Sequence, residues 1–397
     1  MPDGAILRVC VDARWLRPDL SGVTVYTREL IRHLAARDSG DEYVLLFDTR
    51  EMLERTVDQL GLGRRRNVTS ALFPHGVYTV RSQLALPAFL HRQGVNVYHA
   101  PDHLVPFGAF RYARAGRIAC VATVHDIIPI LMPQASPRSR KRKLLGVYRL
   151  TLRELMRRAA AIITDSYASR RDIVRALGLS RSEAARIRVV YCGVADMFRP
   201  KRLATSDISR RSEKTVLYVG RPDPYKGVVR LVDACSRLPK LVGCPVRLRI
   251  VGAADPRYTQ AREVAAAMNM LGSIDFCGHL SDADLVRAYQ QADVLVLPSE
   301  YEGFGLPVVE AMACGTPVVC SRGGALPEVG GDAVVYVEPL DSDALASSIA
   351  RVLLDDRLRH TMVAHGIAQA RRFTWTRTAV QIGAVYRSVA QDREQRS

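Results

Sequence analysis

Short apolar runs alternate with amphipathic stretches along this chain, and the alternation limits its possible folds more than any other feature. Apolar runs at 6–11 and 43–47 flank a stretch of helical period at 26–36. A polar, charged stretch at 200–214 has the composition of a linker, and the alternation starts again with an apolar run at 216–219. Alternating strands and helices are typical of parallel sheets covered by helices. The sequence therefore predicts an α/β protein.

The repeat of this pattern predicts two doubly wound, Rossmann-like domains facing each other across a cleft. The chain has 397 residues, which is enough for two domains. We place an N-terminal domain at 1–198 and a second domain at 199–374. Ligands of such sheets bind beyond the carboxyl ends of the strands, so polar residues at strand ends are the candidates for function.

The segment LVLPSEYEGFGLPVVEAMACGTPVVCS, residues 295–321, contains the strongest candidates. An apolar strand ends at Pro298, and a loop leads into a helix that carries Glu310 about one turn from its start. Unpaired N–H groups and the dipole at a helix start attract anions. We expect Glu302 and Glu310 to point into one pocket beside an anion site, which is formed by the backbone N–H groups of residues 304–308. The donor-binding candidates there are Gly303, Phe304, Gly305 and Leu306.

A second segment, VLYVGRPDPYKGV, places two cations just after a strand. The strand ends at Gly220, and Arg221 and Lys226 follow it. A guanidinium and an ammonium at such a position are suited to hold a diphosphate. The two segments together predict a site for a phosphorylated ligand in the second domain.

The string EGFGLPVVEAMACGTPVV closely resembles the E-x7-E signature of the retaining, nucleotide-sugar-dependent glycosyltransferases of family 4, which have the GT-B fold. VGRPDPYKG resembles the G-R-x-(D/E)-x-x-K-G element of the same family. The resemblance implies that Arg221 and Lys226 neutralise the leaving diphosphate. It also implies that Glu302 binds hydroxyls of the donor sugar, that Glu310 binds the ribose, and that the reaction needs neither a metal ion nor a cofactor.

Weaker resemblances lie in the first domain. SGVTVYTRE resembles the family's glycine-rich loop near the donor diphosphate, which makes Gly22 a donor-binding candidate. TVHDIIP places His125 where the family often has a histidine against the donor sugar. Asp126 is an acceptor-side candidate that either orients that histidine or caps a helix. YHAPD places His99 at a strand end, where we expect it to line the acceptor side. GGALPEVGGDA, residues 323–333, also matches weakly.

The opening CVDARWL and the string TVHDIIP look most like bacterial mannosyltransferases of polysaccharide or O-antigen assembly. This resemblance favours GDP-mannose over UDP-sugars as the donor, and a glycan or lipid-linked acceptor. It also implies that a helix at about 375–397 crosses back to the N-terminal domain. The alternatives are a UDP-dependent transferase of glucose or N-acetylglucosamine, a sugar-nucleotide 2-epimerase, and a non-catalytic binder of nucleotide sugars.

The positive charge of the chain is concentrated in its first half. The net charge is +17, and residues 1–200 hold 32 Lys and Arg against 18 Asp and Glu. Clusters occur at Arg138–Lys143, Arg149–Arg158 and Arg64–Arg66. An anionic membrane surface attracts such clusters, and a solvated arginine-rich surface is the alternative. A nucleic-acid partner is not expected, since no motif of that kind is present and aromatic residues make up 7%.

The cysteines and the longest apolar runs exclude several other classes. The eight cysteines are scattered, and none forms a C-x-x-C pair or a Cys/His cluster typical of a zinc site. They are typical of reduced core residues in a cytoplasmic protein. No run approaches the roughly 18–20 apolar residues needed to span a bilayer. We therefore expect a cytoplasmic protein, peripheral at the inner face of the membrane, and no metal site.

Overall fold

The computed structural model describes residues 6–17, 21–110, 118–134, 144–200, 212–338 and 340–394. The predicted cluster Arg138–Lys143 and most of the predicted linker at 200–214 lie outside these ranges. Contacts divide the chain into two units. The first unit is Met1–Ile130, Leu144–Gly193 and Trp375–Ser397, and the second is Leu131–Lys143 and Val194–Thr374.

The first unit is built on a seven-stranded sheet in the order β3-β2-β1-β4-β5-β6-β7, and every neighbouring pair is parallel. The strands are β1 Arg8–Val11, β2 Glu42–Phe47, β3 Val68–Leu72, β4 Val97–Ala100, β5 Ala119–Thr123, β6 Ala161–Thr164 and β7 Ile187–Val189. All residues of β4, β5 and β6 are buried, because helices cover both faces of the sheet.

The helices of the first half connect these strands, and the C-terminal helix of the chain joins the same unit. They are α1 Gly22–Ala35, α2 Arg50–Gln59, α3 Val80–Arg92, α4 Ile128–Leu131, α5 Leu145–Arg158, α6 Tyr167–Leu177, α7 Arg181–Ala184 and α15 Trp375–Glu394. Helix α15 buries Trp375, Ala379, Ile382 and Tyr386 along one face. The spacing of these residues is that of a helical stripe, so α15 is held in this unit by apolar packing.

The second unit contains a six-stranded sheet in the order β10-β9-β8-β11-β12-β13, again entirely parallel. Its strands are β8 Lys214–Val219, β9 Val246–Val251, β10 Ile274–Gly278, β11 Val294–Leu297, β12 Val318–Ser321 and β13 Val335–Val337. Its helices are α8 Val228–Val242, α9 Gln260–Ala267, α10 Asp282–Gln291, α11 Leu306–Cys314, α12 Leu326–Gly330, α13 Ser342–Leu354 and α14 Asp356–Ala370.

Each sheet has a point at which the direction of strand order reverses. In the first unit this point lies between β1 and β4, and in the second it lies between β8 and β11. Adjacent loops leave the sheet in opposite directions there and open a crevice at the carboxyl ends of the strands. The fold thus places the loops after β8 and β11 side by side.

Among the described helices, none combines the length and apolar character required to cross a membrane.

Candidate active site

The loops that follow β8 and β11 are joined through their backbones. The N–H of Glu300 donates to the carbonyl of Tyr225 at 2.7 Å. Gly227 ends the first loop with a φ of +73°, and a Cβ at this position would lie 2.6 Å from the carbonyl oxygen of Pro298. Only glycine tolerates both that conformation and that approach. The glycine of the YKG string therefore fixes the distance between the two loops.

Lys226 and Glu302 form an ion pair between these loops. The Nζ atom of Lys226 lies 2.7 Å from both carboxylate oxygens of Glu302. Glu302 is only 8% exposed. Burial lowers the pKa of Lys226, but the carboxylate of Glu302 outweighs this effect, so the net pKa is raised. Lys226 is accordingly a protonated cation held at the strand ends.

Arg221 lies in the loop of Lys226 but remains accessible. Its side chain is 61% exposed, and its Nη2 lies 3.1 Å from an oxygen of Asp223. Partial desolvation of the guanidinium lowers its pKa, but the opposing effects, of which that of the Asp223 carboxylate is the largest, outweigh it, so the net pKa is raised. The hydroxyl of Tyr218 donates to the carbonyl of Arg221 at 2.9 Å and holds the backbone in place. Both cations of the loop are thus paired with carboxylates, and Arg221 is the more accessible of the two.

Glu310 is held by a residue that the sequence analysis did not identify. The hydroxyl of Tyr289, on α10, donates to Oε2 of Glu310 at 2.7 Å. Burial first, and then the Glu310 carboxylate, raise the pKa of Tyr289 well above its usual value. Tyr289 therefore stays protonated and restrains the carboxylate. No motif in the sequence links these two residues, since they lie 21 positions apart.

The four loop positions predicted to bind the donor lie where α11 begins. Gly305 precedes the helix, Pro307 lies in its first turn, and no side chain caps it. Phe304 packs its ring edge-on against Phe373 at 5.7 Å between ring centroids. The side chain of Phe304 thus belongs to the core. The predicted role of Gly303, Phe304, Gly305 and Leu306 depends on their backbone, at the positive end of the α11 dipole.

A pair of glycines after β12 supports the Glu302 loop. Gly324 has a φ of +62°, and an added Cβ would lie 2.2 Å from the carbonyl oxygen of Glu302. The next residue, Ala325, donates its N–H to the same oxygen at 2.9 Å. The weakly matching string GGALPEV therefore has a positioning function that its glycine pair could have indicated.

His125 in the first unit uses both of its ring nitrogens internally. Its Nδ1 lies 2.5 Å from Asp165, and its Nε2 lies 2.9 Å from the carbonyl oxygen of Pro101. Burial lowers the pKa of His125, but Asp165 outweighs burial and the pKa rises to about 9. The ring is thus protonated and donates on both sides. Asp126 does not orient it: its carboxylate accepts from the N–H of Ile128, the first residue of α4, at 3.0 Å.

His99 corrects a second expectation. It is fully buried, with Nδ1 at 2.6 Å from the hydroxyl of Tyr386 and Nε2 at 2.9 Å from that of Thr123. Burial, with a smaller effect of His125, lowers its pKa to about 3. His99 is therefore a neutral core residue and does not line an acceptor surface. The error arose because a strand end does not reveal that a distant helix, α15, covers it.

Gly22 is the first residue of α1 and follows Ser21 in the sequence. The Ser21 hydroxyl caps the helix by accepting from the N–H of Thr24 at 3.2 Å. An added Cβ at Gly22 would meet no atom within 4 Å, so packing does not require glycine here. The proposed contact of Gly22 with a donor stays a prediction.

Among the residues that the structure describes, no group of three or more His, Cys, Asp and Glu side chains is arranged to hold a metal ion.

Two family profiles cover most of the chain. The profile described as Glycosyltransferase Family 4 matches residues 20–196. The profile described as Glycosyl transferases group 1 matches residues 204–369. The two matches fall on the two sheets separately.

Individual relatives give the same result. The chain is 30% identical to O-antigen chain mannosyltransferase B of Escherichia coli over 387 residues, which cover 93% of this chain and 96% of that protein. It is 38% identical to phosphatidyl-myo-inositol mannosyltransferase of Mycobacterium tuberculosis over 258 residues, 62% of this chain and 64% of the relative. The crystal structure of Anabaena HepE with UDP and glucose matches with a TM-score of 0.72, at 21% identity, over 97% of this chain and 100% of that one.

The first relative extends over almost the full length of both chains, and the solved structure confirms two Rossmann-like units with parallel sheets. The chain therefore belongs to the glycosyltransferases of group 1 and family 4, and it has their GT-B fold.

Proposed function

We propose that this glycosyltransferase moves mannose from GDP-mannose to a hydroxyl of a glycan or lipid-linked acceptor in cell-surface polysaccharide synthesis, with retention of configuration and without a metal ion. The observation that carries the proposal is the pairing of Lys226 with Glu302 beside the accessible Arg221. The mannosyltransferase names of two relatives support the choice of sugar.

The cations of the second unit stabilise the diphosphate when it leaves the sugar. When the bond between the sugar C1 and the phosphate oxygen breaks, negative charge grows on the diphosphate. Arg221, Lys226 and the start of α11 stabilise this charge, which is the main way such a barrier is lowered. The acceptor oxygen forms its bond to C1 on the same face, and its proton passes to the leaving phosphate oxygen. This front-side displacement needs no covalent enzyme intermediate.

The two glutamates bind the neutral parts of the donor. Glu302 accepts hydrogen bonds from hydroxyls of the sugar, and Glu310, restrained by Tyr289, accepts from the ribose. His125 acts as a cation of fixed orientation in the first unit, because both of its nitrogens donate to internal partners. We therefore assign it a positioning role.

Two alternatives differ in donor or in outcome. A UDP-sugar donor is favoured by the solved structure that contains UDP and glucose. A 2-epimerase would invert one centre of the sugar nucleotide and make no glycoside.

Thermal stabilisation by GDP, UDP and ADP, first in EDTA and then with magnesium, identifies the nucleotide. A ligand at 100 times its Kd adds about 2.7 kcal/mol to the free energy of unfolding. Nuclear magnetic resonance of the products with an alkyl mannoside as acceptor then identifies the linkage.

The proposal for the donor fails if none of the three nucleotides raises the melting temperature. Stabilisation by GDP in EDTA supports a mannosyl donor and a metal-independent site. Stabilisation by UDP alone changes the donor to a UDP-sugar and keeps the chemistry. Stabilisation only with magnesium contradicts metal independence.

We further propose that helix α5 binds an anionic membrane surface at the inner face of the membrane. Leu144, directly before the helix, is 58% exposed, and Val147 and Leu150 within it are 57% and 62% exposed. Arg153 and Arg157 are exposed on the same helix. Apolar side chains flanked by cations are typical of surfaces that enter the headgroup region. The lipid in the name of the mycobacterial relative supports a membrane-bound acceptor.

Sedimentation with vesicles containing phosphatidylglycerol tests this surface. Leu150→Glu is expected to reduce the vesicle-bound fraction severalfold. Leu354→Glu is the matched control, because Leu354 is 58% exposed at the end of α13 in the second unit. Equal binding by both variants would contradict docking through α5.

A further inference from the structure

The ion pair between Lys226 and Glu302 joins two side chains that we propose as ligand-binding groups. Both oxygens of Glu302 accept from the same ammonium at 2.7 Å. Among the described residues, Lys226 is the only side chain bonded to that carboxylate. In the proposed function these two groups hold different parts of one ligand, the diphosphate and the sugar. A ligand that binds both groups therefore competes with an interaction that already exists.

A nucleoside diphosphate offers a new partner to Lys226 but none to Glu302. Its phosphate oxygens can bond to Lys226, but it has no hydroxyl donor at the position of the sugar. The carboxylate cannot easily retreat, because the backbone of Glu302 is held by Ala325 and packed against Gly324. Glu302 would be left 8% exposed, charged and without a partner, next to a polyanion. An unpaired buried carboxylate is strongly unfavourable.

A nucleotide sugar offers a new partner to Lys226 and to Glu302. Its diphosphate bonds to Lys226, and its sugar hydroxyls donate to the freed carboxylate. We propose that Glu302 is a specificity-determining residue whose ion pair with Lys226 makes the site prefer a nucleotide sugar to the nucleoside diphosphate product. Once the sugar has been transferred, Glu302 regains Lys226 and favours product release. This inference rests on the proposed function, because it takes a nucleotide sugar as the donor.

Calorimetric titration of the full chain with GDP and GDP-mannose, and with UDP and UDP-glucose, tests the inference. The wild-type protein is expected to bind the nucleotide sugar more tightly than the matching diphosphate. Glu302→Gln keeps the size of the side chain and removes its charge, so it releases Lys226. We expect GDP to bind this variant about tenfold more tightly than it binds the wild type, while GDP-mannose gains no affinity.

Glu300→Gln is the matched control. Glu300 lies in the same loop and pairs with Arg230 at 2.8 Å, so this variant loses an ion pair without releasing Lys226. Its ratio of diphosphate to donor affinity should equal that of the wild type. If Glu302→Gln does not fold, Glu302→Ala is expected to give the same change of ratio.

Two results would overturn the inference: an unchanged ratio in the Glu302 variants, or an equal change in Glu300→Gln. Failure of the wild type to bind any of the four ligands would instead contradict the proposed function. The two failures are thus distinguishable.

Discussion

The carboxyl ends of the two sheets carry similar polar residues, but these residues are paired differently. In the second unit, Lys226 pairs with Glu302 between two loops and Arg221 is largely exposed. In the first unit, His99 and His125 each use both ring nitrogens on internal partners. A charge paired across two loops can exchange that partner for a ligand. A histidine ring whose two nitrogens both have internal partners has no bonding capacity left for a ligand. The pairing therefore distinguishes side chains that can bind a ligand from side chains that only support the fold.

The largest expected effect concerns the paired cation. Lys226→Ala removes a charge that stabilises the leaving diphosphate and leaves Glu302 without its partner. We expect kcat for mannosyl transfer to fall by about 10²–10³. Lys240→Ala, an exposed lysine near the end of α8, is the control and should retain full activity. A loss of less than tenfold in Lys226→Ala would remove the main support for placing the chemistry in the second unit.

The support of the Glu302 loop gives the second prediction. Gly324→Ala forces a Cβ against the carbonyl of Glu302 at a φ of +62°. We expect a loss of about 1–3 kcal/mol in the free energy of unfolding and weaker nucleotide binding. Gly243→Ala has the same kind of strain, at a φ of +72°, but no atom lies within 4 Å. Urea titration should show a smaller loss for Gly243→Ala, and its nucleotide affinity should be unchanged. Equal effects would mean that close packing at Gly324 does not position Glu302.

The pH dependence of stability tests whether His125 belongs to the scaffold. Asp165 raises the pKa of His125 to about 9 against the opposing effect of burial. The ordinary value is about 6.5. A raised pKa stabilises the fold below about pH 6.5, and this contribution is lost as the pH rises through about 9. Between pH 7 and 10 the wild type should therefore lose about 2 kcal/mol relative to Asp165→Asn. Parallel curves for the two proteins would contradict the ion pair.

The smallest expected effect concerns the bond between His99 and α15. Tyr386→Phe removes the hydroxyl that lies 2.6 Å from Nδ1 of His99. We expect the free energy of unfolding to fall by about 1 kcal/mol, because a buried nitrogen loses its partner. The affinity for nucleotides, measured by calorimetry, should not change. A marked change in that affinity would show that the network around His99 is coupled to the site of the second unit.

Much of the fold and of the second-unit site could be predicted because their signals are local. Apolar runs such as 43–47 specify buried strands, and the strings around Arg221 and Glu302 place charged residues directly after strands. Strand β3 was not predicted, because no residue of Val68–Leu72 is fully buried at the edge of its sheet: three are partly buried and two are exposed. An edge strand with weak apolar character lacks the pattern that identifies a central one.

The partners of the site residues could not be predicted, because they come from distant parts of the chain. Tyr386 lies 287 positions from His99, and Asp165 lies 40 positions from His125. Sequence patterns report which side of a strand or helix is apolar. They do not report which side chain of another element faces it. His99 was therefore assigned to a surface, and Asp126 was considered as the partner of His125 in place of Asp165.

Hydrogen–deuterium exchange with and without GDP-mannose tests the central claim most directly, with UDP-glucose as the second donor. The claim is that the donor binds through the loops after β8 and β11 of the second unit. It predicts slower amide exchange at 220–227 and 298–306 when the donor is present, and no slowing at 220–227 in Lys226→Ala. Protection confined to the first unit, at 21–25 and 123–126, would contradict the claim, as would protection that Lys226→Ala leaves unchanged.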